Sequence, residues 1–242
     1  MPEKLQNQYR SGVGKLLHMM RWSRPELLNS VRECSKAMKT SAYAHLKMMY
    51  QIMNYCVTTP NRGLLLKPQG TWNGDKDFEF KIDGYADANY ATNIENRKSV
   101  SGYSVFMCKA PVGMKSGGQK SVTLSTAESE LASATQCAQD TLYVMRILES
   151  IGLKVKKPMQ LYCDNKGAVD LANNWSVGGR TRHVEVLQYF LRELKEEGII
   201  HTQWISGDDM PSDLFTKNLP APLFEKHASH YVGFNKYMRM AQ

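Results

Sequence analysis

Phe80-Lys81-Ile82-Asp83-Gly84-Tyr85-Ala86-Asp87 is where the chain changes its hydrophobic period. Phe80, Ile82 and Ala86 alternate with Lys81, Asp83, Tyr85 and Asp87, the two-residue repeat of a half-buried strand. Everything before it repeats at helical spacing. Val13, Leu16, Leu17 and Met20 stripe one helix over 9–22. Pro25 and Glu26 suit the first turn of a second, continued by Leu27, Leu28, Val31 and Cys34. Ala44, Leu46, Met49, Ile52, Met53 and Cys56 mark a third over 41–56. Thr59-Pro60-Asn61-Arg62-Gly63 stops it, Leu64-Leu65-Leu66 reads as a short strand, and the Gly- and Asn-rich stretch 68–77 as a linker.

Beyond the switch, 93–98 is rich in turn formers. Gly102-Tyr103-Ser104-Val105-Phe106-Met107-Cys108 is apolar on both faces, as a central strand is. A third strand is expected over 112–124, interrupted at Gly117-Gly118. Ser125 and Glu128 then form a capping box for a long helix over 126–151, with Leu131, Ala134, Ala138, Leu142, Met145 and Leu148 as its buried stripe. A strand (159–163), two helices (166–173 and 184–197), a last strand (199–205) and a short helix (211–217) follow. The tail from Pro220 is irregular or weakly helical. This order implies an α/β fold whose sheet has an antiparallel meander on one side and parallel crossovers on the other.

Composition bounds the rest. At 42% hydrophobic and 22% charged, the 242 residues are globular rather than disordered. No apolar run approaches the ~20 residues of a membrane span, and Met1-Pro2-Glu3-Lys4 does not begin a signal peptide. Five scattered cysteines form no Cys-x-x-Cys pair, which points to reduced thiols in an intracellular protein. His227 and His230 have ligand-like spacing but no companions, so no zinc is expected. The net charge of +8 is confined to residues 1–74, which hold eleven Lys and Arg against three Glu; the remainder carries twenty of each sign. A basic segment of this kind tracks phosphates, each contact releasing a counterion.

Four acids carry the chemical signal. Asp87 and Asp164 end strands that a helical crossover would make parallel neighbours, and ligands bind outside the carboxyl ends of such strands. Glu130 lies in the second turn of the crossover helix; Glu128, about 200° away around the axis, is committed to the cap. Asp213 opens the short helix after the last strand, with Asp208 and Asp209 as alternatives. Clustered carboxylates repel one another unless divalent metal joins them, and two Mg²⁺ ions roughly 4 Å apart are a common device for cutting phosphodiesters. Each acid alone has a plainer reading as a helix cap, a turn residue or a solvated charge.

Six motifs now resemble, in order over 79–219, the ribonuclease H domain of copia-type LTR retrotransposon Pol polyproteins. They are Gly84-Tyr85-Ala86-Asp87-Ala88-Asn89-Tyr90-Ala91, Arg97-Lys98-Ser99-Val100-Ser101-Gly102-Tyr103, Lys120-Ser121-Val122-Thr123-Leu124-Ser125-Thr126-Ala127-Glu128-Ser129-Glu130, Leu161-Tyr162-Cys163-Asp164-Asn165, Arg180-Thr181-Arg182-His183-Val184 and Ser212-Asp213-Leu214-Phe215-Thr216-Lys217. Tyr9-Arg10-Ser11-Gly12-Val13-Gly14-Lys15-Leu16-Leu17 and Arg24-Pro25-Glu26 resemble, less tightly, the segment after the polymerase palm. The resemblance implies a ribonuclease H-like mixed five-stranded sheet flanked by helices over 75–219. It also implies a small basic helical remnant of the reverse transcriptase thumb and connection over 1–74, and a tail over 220–242.

By motif, Asp87, Glu130, Asp164 and Asp213 become the metal ligands and catalytic residues. The implied activity is endonucleolytic cleavage of the RNA strand of an RNA–DNA hybrid with two Mg²⁺, Mn²⁺ being an alternative ion. Lys98, Arg180 and Arg182 are candidates for phosphate contacts, with Ser99, Ser101 and His183 also facing the hybrid. Partners implied are the hybrid and the palm and fingers of the parent polyprotein. The expected setting is the cytoplasm or virus-like particles, with access to the nucleus. Departures count as well. Asn89 stands where the family often has a second Asp. Gly207-Asp208-Asp209-Met210 lacks the His of cellular ribonucleases H, and no Tyr-x-Asp-Asp polymerase motif occurs, so no DNA synthesis is expected from this chain alone. The rival readings are an inactive nucleic-acid-binding remnant and, more distantly, a transposase or integrase, which would place a glutamate last.

Overall fold

The computed structural model describes residues 1–70, 72–93, 96–174 and 182–234, with the backbone alone at 182–185. Residues 1–65 form α1 (Glu3–Trp22), a 3-10 turn (Pro25–Leu27), α2 (Leu28–Lys36), α3 (Tyr43–Thr58) and β1 (Arg62–Leu64). Residues 66–219 hold β2 (Glu79–Phe80), β3 (Ile82–Asn89), β4 (Val100–Met107), β5 (Ala110–Gly118), α4 (Thr126–Ser150), β6 (Lys154–Val155), β7 (Met159–Cys163), α5 (Lys166–Asn173), α6 (Arg182–Glu196), β8 (Ile200–Trp204) and 3-10 turns at Gly207–Asp209 and Pro211–Phe215. The chain closes with α7 (Ala221–Ala228) and β9 (Val232–Phe234). No described helix is long and apolar enough to cross a membrane.

Contacts divide the chain into two units, 1–65 with the segment from Pro220 onward, and 66–219. The three segments expected from sequence are thus grouped differently. The tail, expected to be irregular or weakly helical, opens with the helix α7; beyond it β9 pairs antiparallel with β1, and the Arg62 guanidinium donates to both carboxylate oxygens of Glu225 in α7, at 2.9 and 2.8 Å. Tyr9, Val13, Leu16, Leu27, Val31, Cys34 and Met49 form the helical core of this unit. Of the ten basic side chains in residues 1–65, Arg24 and Arg62 are buried and spent on ion pairs rather than offered to phosphates.

In the second unit the five-stranded sheet runs β5-β4-β3-β7-β8, antiparallel among the first three strands and parallel from β3 through β7 to β8. This is the mixed sheet expected, with one change of centre. β3, read as half-buried, is the middle strand and is covered on both faces, and β4 lies beside it. Its alternating polar residues misled because they are buried with partners. Asp83, 1% exposed, lies 3.3 Å from the Lys81 ammonium and 3.9 Å from that of Lys109. β5 ends at Gly118, short of the expected 124, because Gln119 turns inward. Its side-chain amide donates to Ser101 Oγ and to the Ser129 carbonyl, each at 2.9 Å.

Two glycines set how closely the layers approach. A Cβ at Gly84 would lie 2.8 Å from Cys137 Sγ of α4. On the other face, a Cβ at Gly102 would lie 2.5 Å from Thr216 Cγ2 and 2.9 Å from Phe215 Cβ. Gly102 therefore lets the segment carrying Asp213 lie flat on β4, opposite Asp87 in register.

Candidate active site

Each of the four acids is placed by a different element. Asp87 sits near the carboxyl end of β3, held from behind by Ser133 of α4, whose hydroxyl donates to its carbonyl at 2.8 Å. Glu130 lies in the second turn of α4. Ser125 Oγ caps the Glu128 N–H at 3.1 Å, and the Glu128 carboxylate accepts from the Leu124 N–H at 2.7 Å, so Glu128 is indeed occupied and Glu130 is free to face the sheet. Asp164 follows β7. The cap of α5 is supplied by Asn165, which accepts from the Ala168 N–H at 2.9 Å, and this releases Asp164 from the capping role it could have filled. Asp213 lies in a single 3-10 turn rather than an α-helix, fixed by Ser212, whose hydroxyl donates to the Tyr85 carbonyl at 2.8 Å.

These residues converge. Carboxylate oxygens of Asp87, Asp164 and Asp213 all lie within 4.8 Å of one another, and Glu130 meets Asp164 and Cys163 within the same limit. Asp208 and Asp209 are exposed in the preceding turn and belong to no such group among the described residues, so Asp213 is the last member. The site is strongly electronegative. Burial first, then Asp87 and Asp164, raise the Glu130 pKa well above the carboxylate range. Burial and then Asp87 push Asp213 up to about 7, and the same two causes raise Asp164. Cys163, driven up mainly by burial, remains a thiol and donates to Glu130 Oε2 at 3.9 Å.

Lys217 escaped the sequence reading. Its ammonium lies 2.8 Å from Asp213 Oδ1, 3.0 Å from Asp87 Oδ1 and 3.8 Å from Asp164 Oδ2. Burial alone would lower its pKa, but Asp87 and Asp213 outweigh that and hold it charged. The available signal was its position four residues after Asp213, the spacing of one helical turn. Thr216 also donates from its hydroxyl to Asp87 Oδ2, and Asn89 donates from its side-chain amide to the Thr216 carbonyl at 3.1 Å. An aspartate at 89, as the family often has, could not make that bond while ionised.

The nucleic-acid candidates fare differently. Ser99 and Ser101 are buried. Ser99 Oγ accepts from the Ala91 N–H and bonds Thr123 Oγ1, while Ser101 Oγ accepts from Gln119. Both hydroxyls are thus engaged within the protein at the start of β4. Lys98 is half-buried beside them. Arg180 lies outside the described residues, and so do the side chains of Arg182 and His183, whose backbone begins α6. Trp204, half exposed at the end of β8, was also missed. Its indole N–H donates to the Asp164 carbonyl at 3.0 Å, with the Lys166 ammonium 4.8 Å from the ring centroid.

The donor set fits a hard divalent cation: carboxylate oxygens, converging and only partly neutralised by one lysine. Asp87, Asp164 and Asp213, with Glu130 beside them, are the residues that would hold it.

No family model matches the chain. It is 31% identical over 217 residues to the retrovirus-related Pol polyprotein of transposon TNT 1-94 from Nicotiana tabacum, covering 90% of this chain and 16% of that protein. To the Pol polyprotein of transposon RE1 from Arabidopsis thaliana it is 28% identical over 222 residues, covering 92% of this chain and 14% of that one. The chain thus spans only about one sixth of the length of these Pol polyproteins. Among solved structures, the N-terminal RNase H domain of a Mycobacterium tuberculosis protein aligns with 62% of this chain and 98% of its own, at 12% identity and a TM-score of 0.43.

Proposed function

Since this chain belongs with the Pol polyproteins of copia-type plant transposons, we propose that it is a metal-dependent ribonuclease H, cutting the RNA strand of RNA–DNA hybrids. One observation carries the reading: four acids from separate stretches of chain, spread across 127 positions of sequence, converge, with carboxylate oxygens of Asp87, Asp164 and Asp213 within 4.8 Å of one another and Glu130 within that distance of Asp164. Among the described residues one lysine stands against this buried cluster of carboxyl groups, and a divalent-cation site would supply the missing positive charge.

Two Mg²⁺ ions in such a site would lower the pKa of an attacking water and stabilise the leaving 3′ oxygen. The protein's share is positional. Thr216 fixes one Asp87 oxygen, Ser133 fixes the backbone behind it, and Ser212 fixes the turn bearing Asp213. Glu130 and Asp213, with raised pKa values, are the members most ready to hold a proton when the site is not neutralised. No protein nucleophile is required, because water attacks directly. The hybrid, the Mg²⁺ requirement and the palm and fingers of a parent polyprotein as partners all belong to this proposal, as does a setting in the cytoplasm or virus-like particles.

The test is cleavage of a hybrid carrying an end-labelled RNA strand. Wild-type protein in Mg²⁺ is expected to release short RNA products, and Asp87→Asn and Glu130→Gln to release none. Intact RNA with folded wild type in both Mg²⁺ and Mn²⁺, accompanied by salt-sensitive binding, would replace this reading with a non-catalytic binding module.

A further inference from the structure

Lys217 occupies the position that a metal-binding role for the acids would assign to a cation. Its ammonium donates to Asp87 Oδ1 and Asp213 Oδ1 and approaches Asp164 Oδ2, so it touches all three aspartates at once. The lone pairs that accept these hydrogens are lone pairs that a divalent ion would need. Ammonium and metal therefore compete for the same oxygens.

Several features fit a cation that can be displaced. The acids are nearly sealed, Asp87 at 0% and Asp213 at 6% exposure, yet the Lys217 side chain is 34% exposed and so has a path outward. It lies just beyond the Pro211–Phe215 turn, anchored by Thr216 and Asn89, so its stem can swing while its backbone stays fixed. One positive charge against four carboxylates also leaves the cluster under-neutralised, so the pairing is incomplete by construction.

We propose that Lys217 is the resident counter-ion of the acidic cluster, holding Asp87, Asp164 and Asp213 together without metal and giving way when divalent cations bind. This inference rests on the ribonuclease reading above. Without metal, the lysine offsets repulsion that would otherwise splay the turn bearing Asp213 away from β3. With metal, the ammonium loses its carboxylates and moves toward solvent. It thus sets a threshold: metal binding must first overcome the internal ion pairs, which lowers the apparent affinity.

The experiment is a calorimetric titration of Mn²⁺ into the full chain, for wild type, Lys217→Met, Lys217→Gln and Lys217→Arg, with melting curves in EDTA and in Mn²⁺. Both neutral variants are expected to bind Mn²⁺ roughly tenfold more tightly than wild type, a typical coupling between linked sites. They should also melt lower in EDTA and gain more from added Mn²⁺, while Lys217→Arg keeps the wild-type affinity. Melting curves in Mn²⁺ establish that each variant folds. Equal or weaker Mn²⁺ binding in folded neutral variants would overturn the counter-ion role and leave the metal site standing. Wild type that takes up no Mn²⁺ at millimolar concentration would overturn both.

Discussion

Two buried charge clusters in this molecule are built on opposite principles. In the helical unit, Arg24 and Glu26 are 3% and 0% exposed at the side chain and lie 2.6 Å apart, one cation to one anion. The guanidinium's remaining hydrogens go to the Thr59 carbonyl and hydroxyl, at 3.2 and 2.7 Å. In the sheet unit, three aspartates share one lysine, with the Glu130 carboxyl beside them. A balanced pair needs no further cation, although Glu26 Oε2 accepts no hydrogen bond among the described residues, and its role is to hold Thr59 and the end of α3 in place. An unbalanced cluster is complete only with a further cation. Charge stoichiometry, rather than burial, separates the structural pair from the candidate active site.

That contrast breaks most visibly under substitution of the acids. Asp87→Asn, Glu130→Gln, Asp164→Asn and Asp213→Asn should each lower hybrid cleavage by roughly 10³-fold, as expected if several kcal/mol of metal-borne stabilisation is lost. Their melting temperatures in EDTA should hold or rise, because each removes a repelling charge. Activity and stability must be measured on the same preparations; joint loss of both would make these residues structural. In the helical unit the sign reverses. Arg24→Met leaves Glu26 charged and buried, and urea unfolding should show a loss of ~3–5 kcal/mol. The double change Arg24→Met with Glu26→Leu should recover most of it.

Smaller effects sharpen the comparison. Gly102→Ala forces a methyl into Thr216 and Phe215, costing about 1–3 kcal/mol of stability and shifting the turn that carries Asp213 and Lys217. Cleavage should fall further than stability alone explains, read as kcat at a temperature where the variant is fully folded. The smallest effect is pH dependence. Asp213 titrates near 7 when folded, against about 3.9 when unfolded. A raised carboxylate favours the folded state fully below the unfolded value and loses that contribution as pH rises through the folded one. In EDTA, the stability of wild type relative to Asp213→Asn should therefore decline between about pH 4 and 7 and level off above that. A flat difference would show that Asp213 is not raised.

Sequence reading reached the sheet and the four acids because both are written in local signals. Period-two and period-3.6 stripes survive translation into strands and helices, and the Ser125–Glu128 cap separated Glu128 from Glu130 before any geometry was known. What escaped it depended on long-range contact. β3 looked half-buried because Asp83 and Asp87 are polar, and the Lys81, Lys109 and Lys217 ammonium groups with the Thr216 hydroxyl make their burial tolerable. The helix of the tail was legible, but its strand was not, because β9 has just three residues and its partner β1 lies some 170 positions earlier. Ser99 and Ser101 fit a phosphate contact by motif, yet Gln119 and Thr123 already claim their hydroxyls. Lys217 was visible only as a basic residue. Its meaning comes from the three aspartates folded around it.

Anomalous diffraction from crystals grown with Mn²⁺ and a non-cleavable hybrid tests the central claim most directly. The account predicts strong manganese peaks coordinated by oxygens of Asp87, Asp164 and Asp213, with Glu130 alongside and the Lys217 ammonium withdrawn from them. Crystals at saturating Mn²⁺ with no anomalous density at these carboxylates, and Lys217 still bonded to Asp87 and Asp213, would contradict it.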